Sequence, residues 1–278
     1  MRIPFSVFLM PVFWFALSAA PEFNWQKAAA VFFILHLLVY PASNGYNSYY
    51  DRDEGSIGGL KHPPKVTRSL YYLVVLFDFL AVALSLFVSL PFAFCVLVYL
   101  FVSKAYSYDK IRLKKYPFLS TFTVVFFQGA FTFFMVQLGA GVPAQFLFGT
   151  FNLLLAFVST LFLCGSYPLT QVYQHQEDRQ RGDVTLSLWL GLKGTFIFSA
   201  ISLGLAAALL VSGYWLHGQQ TNAFIFLLCT GPVLFFFLKW FRQTWLSARA
   251  VTFENTMRMN KISSVCMSAA FLTMLLWR

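Results

Sequence analysis

Charge is what this sequence has least of. Of its 278 residues only 11% are Asp, Glu, Lys or Arg, against about 25% in an ordinary soluble domain. A water-facing surface needs more charge than that, so a soluble globular fold is excluded and lipid is the medium left to cover the outside. Histidine and cysteine are scarce as well, with four of each. Cys95, Cys164, Cys229 and Cys266 all lie in apolar runs, without a C-x-x-C pair or a neighbouring histidine cluster. A zinc centre and a disulfide framework are therefore excluded, and the cysteines read as small apolar residues at helix contacts. Carboxylates are few, 10 against 20 basic residues, for a net charge of +10. No basic amphipathic or RNA-binding pattern accompanies that charge, so it does not point to nucleic acid; its placement along the chain accounts for it better.

What is present is apolar: 59% hydrophobic residues, with 35 Phe and 7 Trp, rings that suit both the bilayer core and its interfaces. A span of roughly 20 apolar residues crosses the hydrocarbon. Nine such runs are predicted, at about 4–20, 26–46, 69–89, 91–106, 119–138, 146–172, 194–213, 221–241 and 260–277. The expected fold class is all-α: a polytopic membrane protein in a single transmembrane domain over 1–278, surrounded by membrane lipid. The first run also resembles a secretory signal, with Arg2 ahead of it and Ser18-Ala19-Ala20 behind. A retained helix is expected, because cleavage serves little purpose ahead of eight further spans.

In this nine-span arrangement all of the 20 Lys and Arg except Lys27 and Arg278 fall on one side. The positive-inside rule assigns that side to the cytoplasm. Six of the 10 carboxylates gather in two loops on the same side: Asp51, Asp53 and Glu54, then Glu177, Asp178 and Asp183.

The two clusters are copies of one pattern. Sliding the chain so that Asp51 falls on Asp178 also brings Tyr40 onto Tyr167, Pro41 onto Pro168, Tyr46 onto Tyr173, Arg52 onto Arg179 and Gly55 onto Gly182. Asn44 meets Gln171, and Asn47 meets Gln174. The expectation is a four-helix unit used twice, roughly 1–118 and 119–241, followed by a final helix at roughly 260–277. Repeats in membrane proteins place a shared site at their interface. Asn44, Asn47 and Asp51 stand at i, i+3 and i+7, on one helical face, as do Gln171, Gln174 and Asp178. The glycine after each aspartate is expected to let the chain leave its helix.

Carboxylates and amides without histidine or cysteine are hard oxygen donors, the environment Mg²⁺ prefers. Mg²⁺ binds through one or two carboxylates and completes its shell with water and substrate phosphates, so two facing clusters suggest a metal-bound diphosphate. Lys61, Lys65, Arg68, Lys110, Arg112 and Arg179 are candidates to share its charge. Tyr46, Tyr49, Tyr50, Tyr106 and Tyr173 are candidates to shield a developing cation.

With those residues in view, the chain resembles the UbiA superfamily of intramembrane prenyltransferases over essentially its whole length. Members have nine transmembrane helices and Asp-rich motifs after the second and sixth. The first motif, usually N-D-x-x-D-x-x-x-D, corresponds to Asn47 through Gly55, with Ser48 and Gly55 where aspartate is usual. The second, often D-x-x-x-D, corresponds to Gln174 through Asp178. A Y-x-x-x-K element corresponds to Tyr106 through Lys110, followed by Arg112, Lys114 and Lys115. The resemblance implies that Asn47, Asp51, Asp53 and Asp178 hold Mg²⁺ and diphosphate, with Asp183 a further ligand or the partner of a basic residue. It implies that Asp51, Asp178 and Lys110 are catalytic and that Arg112 contacts phosphate, with Tyr106 supporting its loop. The implied reaction transfers an isoprenoid chain from a polyprenyl diphosphate to a lipophilic, aromatic-type acceptor, without an obligatory protein partner.

The alternatives are a membrane transporter and an inactive member of the same fold. A transporter calls for polar groups near the midplane, whereas these carboxylates gather at one boundary. A CDP-alcohol phosphotransferase would carry D-x-x-D-G-x-x-A-R, which is absent. Asp78, inside the third span, is a functional candidate by position but more often such a group is bonded between helices. His36, almost three turns before Asn47, is expected to be a satisfied interior residue. Gln128 and Gln137 could line the cavity or hold helices together, and the latter is expected.

Overall fold

The computed structural model describes residues 3–52 and 55–277. Among the described residues nine helices carry the fold, which we number α1 (Phe5–Ala19), α2 (Trp25–Asp51), α3 (Arg68–Val88), α4 (Leu90–Ser107), α5 (Pro117–Ala140), α6 (Thr150–Arg181), α7 (Leu186–Leu216), α8 (Gln220–Leu246) and α9 (Phe253–Leu276). Eight are long and apolar enough to cross a bilayer, and α1 is a shorter apolar helix. Each of the nine expected runs falls on one of them. No strand is formed among the described residues, only an isolated bridge between Ile57 and Leu60.

Helices begin where the sequence supplies a cap or a proline. Ser89 accepts from the Phe92 N–H and Thr252 from that of Asn255, each satisfying an orphan donor of a first turn. Pro91 and Pro117 sit in first turns, where a missing N–H costs nothing. The apolar content faces both ways. On α3 the buried residues are Val74, Ala81 and Ser85, a narrow inward seam, while Tyr72, Phe79 and Phe87 point outward as a lipid-facing surface does.

The bundle closes on itself, since α9 packs against both α8 and α1, and α1 packs in turn on α5. The Phe15 ring stacks on that of Phe271 at 4.4 Å. Between helices in lipid the cohesion comes from close packing rather than from escape from water. Gly129 shows the mechanism: a Cβ there would lie 2.7 Å from the Thr160 Cα, so its absence lets α5 approach α6. The Ala130 N–H donates to Thr160 Oγ1 at 3.0 Å across the same contact.

Two helices carry a wider π-type turn, at Ile34–Val39 in α2 and Phe127–Phe131 in α5. The first directly precedes Pro41, which has no N–H to continue the regular ladder. Such insertions shift the face a helix presents and recur at functional sites.

Candidate active site

A cavity of about 790 Å³ occupies the centre of the bundle, within the range of ordinary ligand sites. One end is polar. Asn44, Asn47 and Asp51 from α2 line it together with Gln171, Gln174 and Asp178 from α6. The two sequence clusters therefore share one space. The rest is apolar, walled by side chains such as Phe162, Leu203, Phe226, Met267 and Phe271.

The local folding of the two copies differs. The first three residues ride on the regular helical stretch Tyr40–Asp51. The second three are set by tighter turns, Pro168–Thr170 and Val172–Gln174, before a regular turn resumes at His175–Arg181. The exits differ as well, which corrects the expectation of a matched glycine. Gly182 ends its helix at φ +71°, but the first copy leaves at Arg52, itself left-handed at φ 49°. Gly55 has another use: an added Cβ would fall 1.5 Å from Glu177 Oε1, so its bareness makes room for a side chain of the other cluster. Gln174 Nε2 donates to the Ser56 carbonyl at 3.2 Å, a second link between the clusters.

Cations hold this end together. Lys114 Nζ forms an ion pair with Asp51, both side chains largely buried, and its charge also reaches Asp178. Arg112 grips Asp183 by a fork, Nε to Oδ1 at 3.2 Å and Nη2 to Oδ2 at 2.9 Å. Donating to Asp183 raises the Arg112 pKa above its ordinary value, against the opposing effect of burial. Asp178 accepts from Thr185 Oγ1 at 3.2 Å. The hydroxyls of Tyr106 and Tyr167 lie 2.7 Å apart, joining the α4 end to α6. Asn47 Oδ1 accepts from Ser107 Oγ at 3.0 Å.

Not every expected residue reaches the cavity. Lys110, Arg68 and Arg179 are exposed and do not line it, and Lys61 pairs instead with Glu254 on α9. Arg112 does not line the cavity and is committed to Asp183, which does line it but has both oxygens engaged by Arg112. Asp53 and Glu54 lie outside the described residues. The cavity holds two basic residues the motif did not single out, Lys114 and Arg181, and also Gln128. Gln137 does hold helices together, donating to the Ala16 carbonyl at 3.0 Å and pairing with Asn152. Asp78 is ion-paired with Lys104 at 2.8 Å, between α3 and α4. His36 is interior but only half satisfied: its Nδ1 lies 3.2 Å from the Ser6 carbonyl and its ring stacks on Phe32 at 4.5 Å, while its buried Nε2 has no hydrogen-bond partner.

Among the described residues, nine helices form a membrane-type bundle with a deep cavity, polar at one end and apolar beyond, which defines the class as polytopic membrane proteins with an internal site. Comparison with known proteins narrows the class. The model of the UbiA prenyltransferase family matches residues 8–262, and the chain belongs to that family. A UbiA homologue from Aeropyrum pernix K1 has a similar fold, with a TM-score of 0.75 at 18% identity over 98% of both chains. A UbiA homologue from Archaeoglobus fulgidus bound to Cd²⁺ gives 0.64 at 14% identity, over 99% of this chain and 96% of that one. A digeranylgeranylglyceryl phosphate synthase gives 0.60 at 15%, over 99% and 92%. No curated protein matches the chain.

Proposed function

We propose that this protein is a divalent-metal-dependent prenyltransferase, which moves an isoprenoid chain from a polyprenyl diphosphate to a lipophilic, aromatic-type acceptor. The observation that carries the reading is the meeting of Asp51 and Asp178, from opposite clusters, in one cavity whose remainder is apolar. Such a space suits a molecule with an anionic head and a hydrocarbon tail.

The donor set fits a hard cation. Among the described residues no cysteine or histidine lines the cavity, and buried Gln171 keeps an Oε1 acceptor without a partner. Asn47, Asp51 and Asp178 would hold Mg²⁺, the ion such oxygens favour, with Gln174 and Gln171 beside them. The fold neighbour bound to Cd²⁺ is consistent with a divalent ion. When bound, the ion would act as a Lewis acid on the charge that builds on a departing diphosphate.

The protein's own groups divide the remaining work. Lys114 and Arg181 supply positive charge at the polar end. Arg112 positions the loop that carries Lys114 by anchoring it to Asp183. The apolar walls hold the tail and exclude water as the allylic C–O bond breaks and the electron pair leaves with diphosphate. A carbon or oxygen of the acceptor then bonds to the allylic carbon and gives up a proton. The charge asymmetry of the sequence supports a cytoplasmic position for this end.

The test is to incubate membranes containing the chain with labelled prenyl diphosphates, Mg²⁺ and a panel of acceptors. Prenylated product is expected, and is lost in Asp51→Ala and Asp178→Ala. Full activity in both variants, with the protein still inserted, would overturn the reading.

A further inference from the structure

A second cavity of about 100 Å³ opens beside the polar end of the first. The two share Asn44, Asn47, Tyr106 and Gln128, so whatever enters the small one lies against amides that also line the main cavity. Its size is well below the roughly 150 Å³ that encloses a benzene ring, so it takes only the head of a small ring whose other edge stays in the main cavity.

Its lining is the informative feature. Tyr40, Ser43, Tyr99, Ser103 and Thr123 contribute hydroxyls beyond the shared amides, and among the described residues no charged side chain lines it. The nearest cation on α4, Lys104, is turned away to Asp78 and over the Tyr46 ring. Charge is thus segregated: Asp51, Asp178, Lys114 and Arg181 face the main cavity, and only neutral hydrogen-bonding groups face the side chamber.

Two further observations mark the chamber as more than a packing defect. Ser43 Oγ is buried with no hydrogen-bond partner, and a buried polar group in that state calls for an explanation. Both π-type turns of the fold also border it: Tyr40 follows the one in α2, and Phe127 and Gln128 begin the one in α5. The two turns bring Ser43 and Gln128 to one space, which Tyr99 of α4 also lines.

Resting on the prenyltransferase reading, we infer that the side chamber is the acceptor's seat and selects an uncharged ring bearing hydroxyl or carbonyl groups, against acceptors bearing a carboxylate or phosphate. A hydroxyl or carbonyl finds both donors and acceptors there. A carboxylate would lose its water without a cation to replace it, which is heavily penalised.

A matched pair of probes tests this on the full chain in lipid nanodiscs, loaded with Mg²⁺ and a non-reactive prenyl thiolodiphosphate. The probes are 4-hydroxybenzyl alcohol and 4-hydroxybenzoate, alike but for the charge, with binding followed by saturation-transfer NMR. The alcohol is expected to bind about 10-fold or more tightly than the acid, the discrimination an unpaired buried charge imposes. Ser43→Leu, which fills the chamber, should abolish the alcohol's binding while the thiolodiphosphate still binds. Ser43→Ala keeps the space, removes the orphan hydroxyl, and should weaken the alcohol if the leucine variant fails to insert. Equal or tighter binding of the acid, or alcohol binding indifferent to both variants, or no binding of either probe to the loaded protein, would overturn the inference and leave the prenyltransferase reading standing. Failure of the thiolodiphosphate itself to bind would remove both.

Discussion

Lys114, from the loop between α4 and α5, is paired with Asp51 at the end of α2, and both side chains are largely withdrawn from solvent, at 11% and 7% exposure. The protein thus supplies a cation of its own to one of the two carboxylates that define the polar end. A divalent ion and Lys114 answer the same local need, compensation of a buried negative charge.

Lys114→Met separates the two contributions. Breaking a buried pair leaves an uncompensated charge that costs about 3 kcal/mol. The variant should therefore melt at a lower temperature in metal-free buffer and recover much of the loss when Mg²⁺ is added. The Michaelis constant for the prenyl diphosphate should rise about tenfold, a loss near 1.4 kcal/mol, because the substrate loses a positive partner. Thermal melts with and without Mg²⁺, together with steady-state kinetics, check both; a melting temperature indifferent to Mg²⁺ would contradict the assignment.

The Arg112–Asp183 fork ties that loop to the chain following α6. Arg112→Lys keeps the charge but not the two-point geometry, and should cost about 1 kcal/mol, whereas Arg112→Ala strands a buried carboxylate and should cost about 3 kcal/mol. Because the Arg112 pKa is raised by its hydrogen bond to Asp183, the stability it contributes is fully present below the ordinary arginine value. That stability disappears only when the pH passes above the raised one. The difference in melting temperature between wild type and Arg112→Ala should accordingly stay constant from pH 7 to about pH 10. A difference that fades over that range would contradict the fork.

Asp78 and Lys104 form the other internal pair, at 22% exposure each. The account treats them as structural. Asp78→Ala should destabilise by about 2 kcal/mol, discounted from a fully buried pair for the partial exposure, while Asp78→Leu combined with Lys104→Met should regain most of that loss. Turnover per folded molecule should change less than about twofold in the double variant, well under the roughly 1.4 kcal/mol of a tenfold effect. A large fall in turnover with unchanged stability would make Asp78 functional.

Much of this molecule is legible in its sequence, and the boundary has physical causes. The nine helices among the described residues follow from the length of apolar runs, because an apolar run of about 20 residues satisfies its backbone in lipid as a helix. The amides and carboxylates of the cavity were visible because two copies repeat one spacing. The choice of cation was not visible: Lys110 and Lys114 lie four residues apart in one loop, and the left-handed Arg112, at φ 43°, lies in the turn between them, with Lys110 exposed and Lys114 directed inward. Nor does spacing reveal that Lys61 is drawn away by Glu254, 193 residues further along the chain. Of the two roles open to Gln128, lining the cavity or holding helices together, its sequence position does not choose; it lies in the π-type turn of α5 and lines the cavity. Arg52 took the helix-ending conformation assigned to Gly55, whose small size serves Glu177 instead.

The most direct test of the central claim is a double-mutant cycle on binding rather than turnover. Affinity for a non-reactive prenyl thiolodiphosphate would be measured with Mg²⁺ for the wild type, Asp51→Asn, Asp178→Asn and the double variant. If the two carboxylates act together on one diphosphate, each single change weakens binding about 10-fold and the double is little worse than either, a coupling of more than about 1 kcal/mol. Purely additive losses, or single variants that bind as the wild type does, would contradict the account.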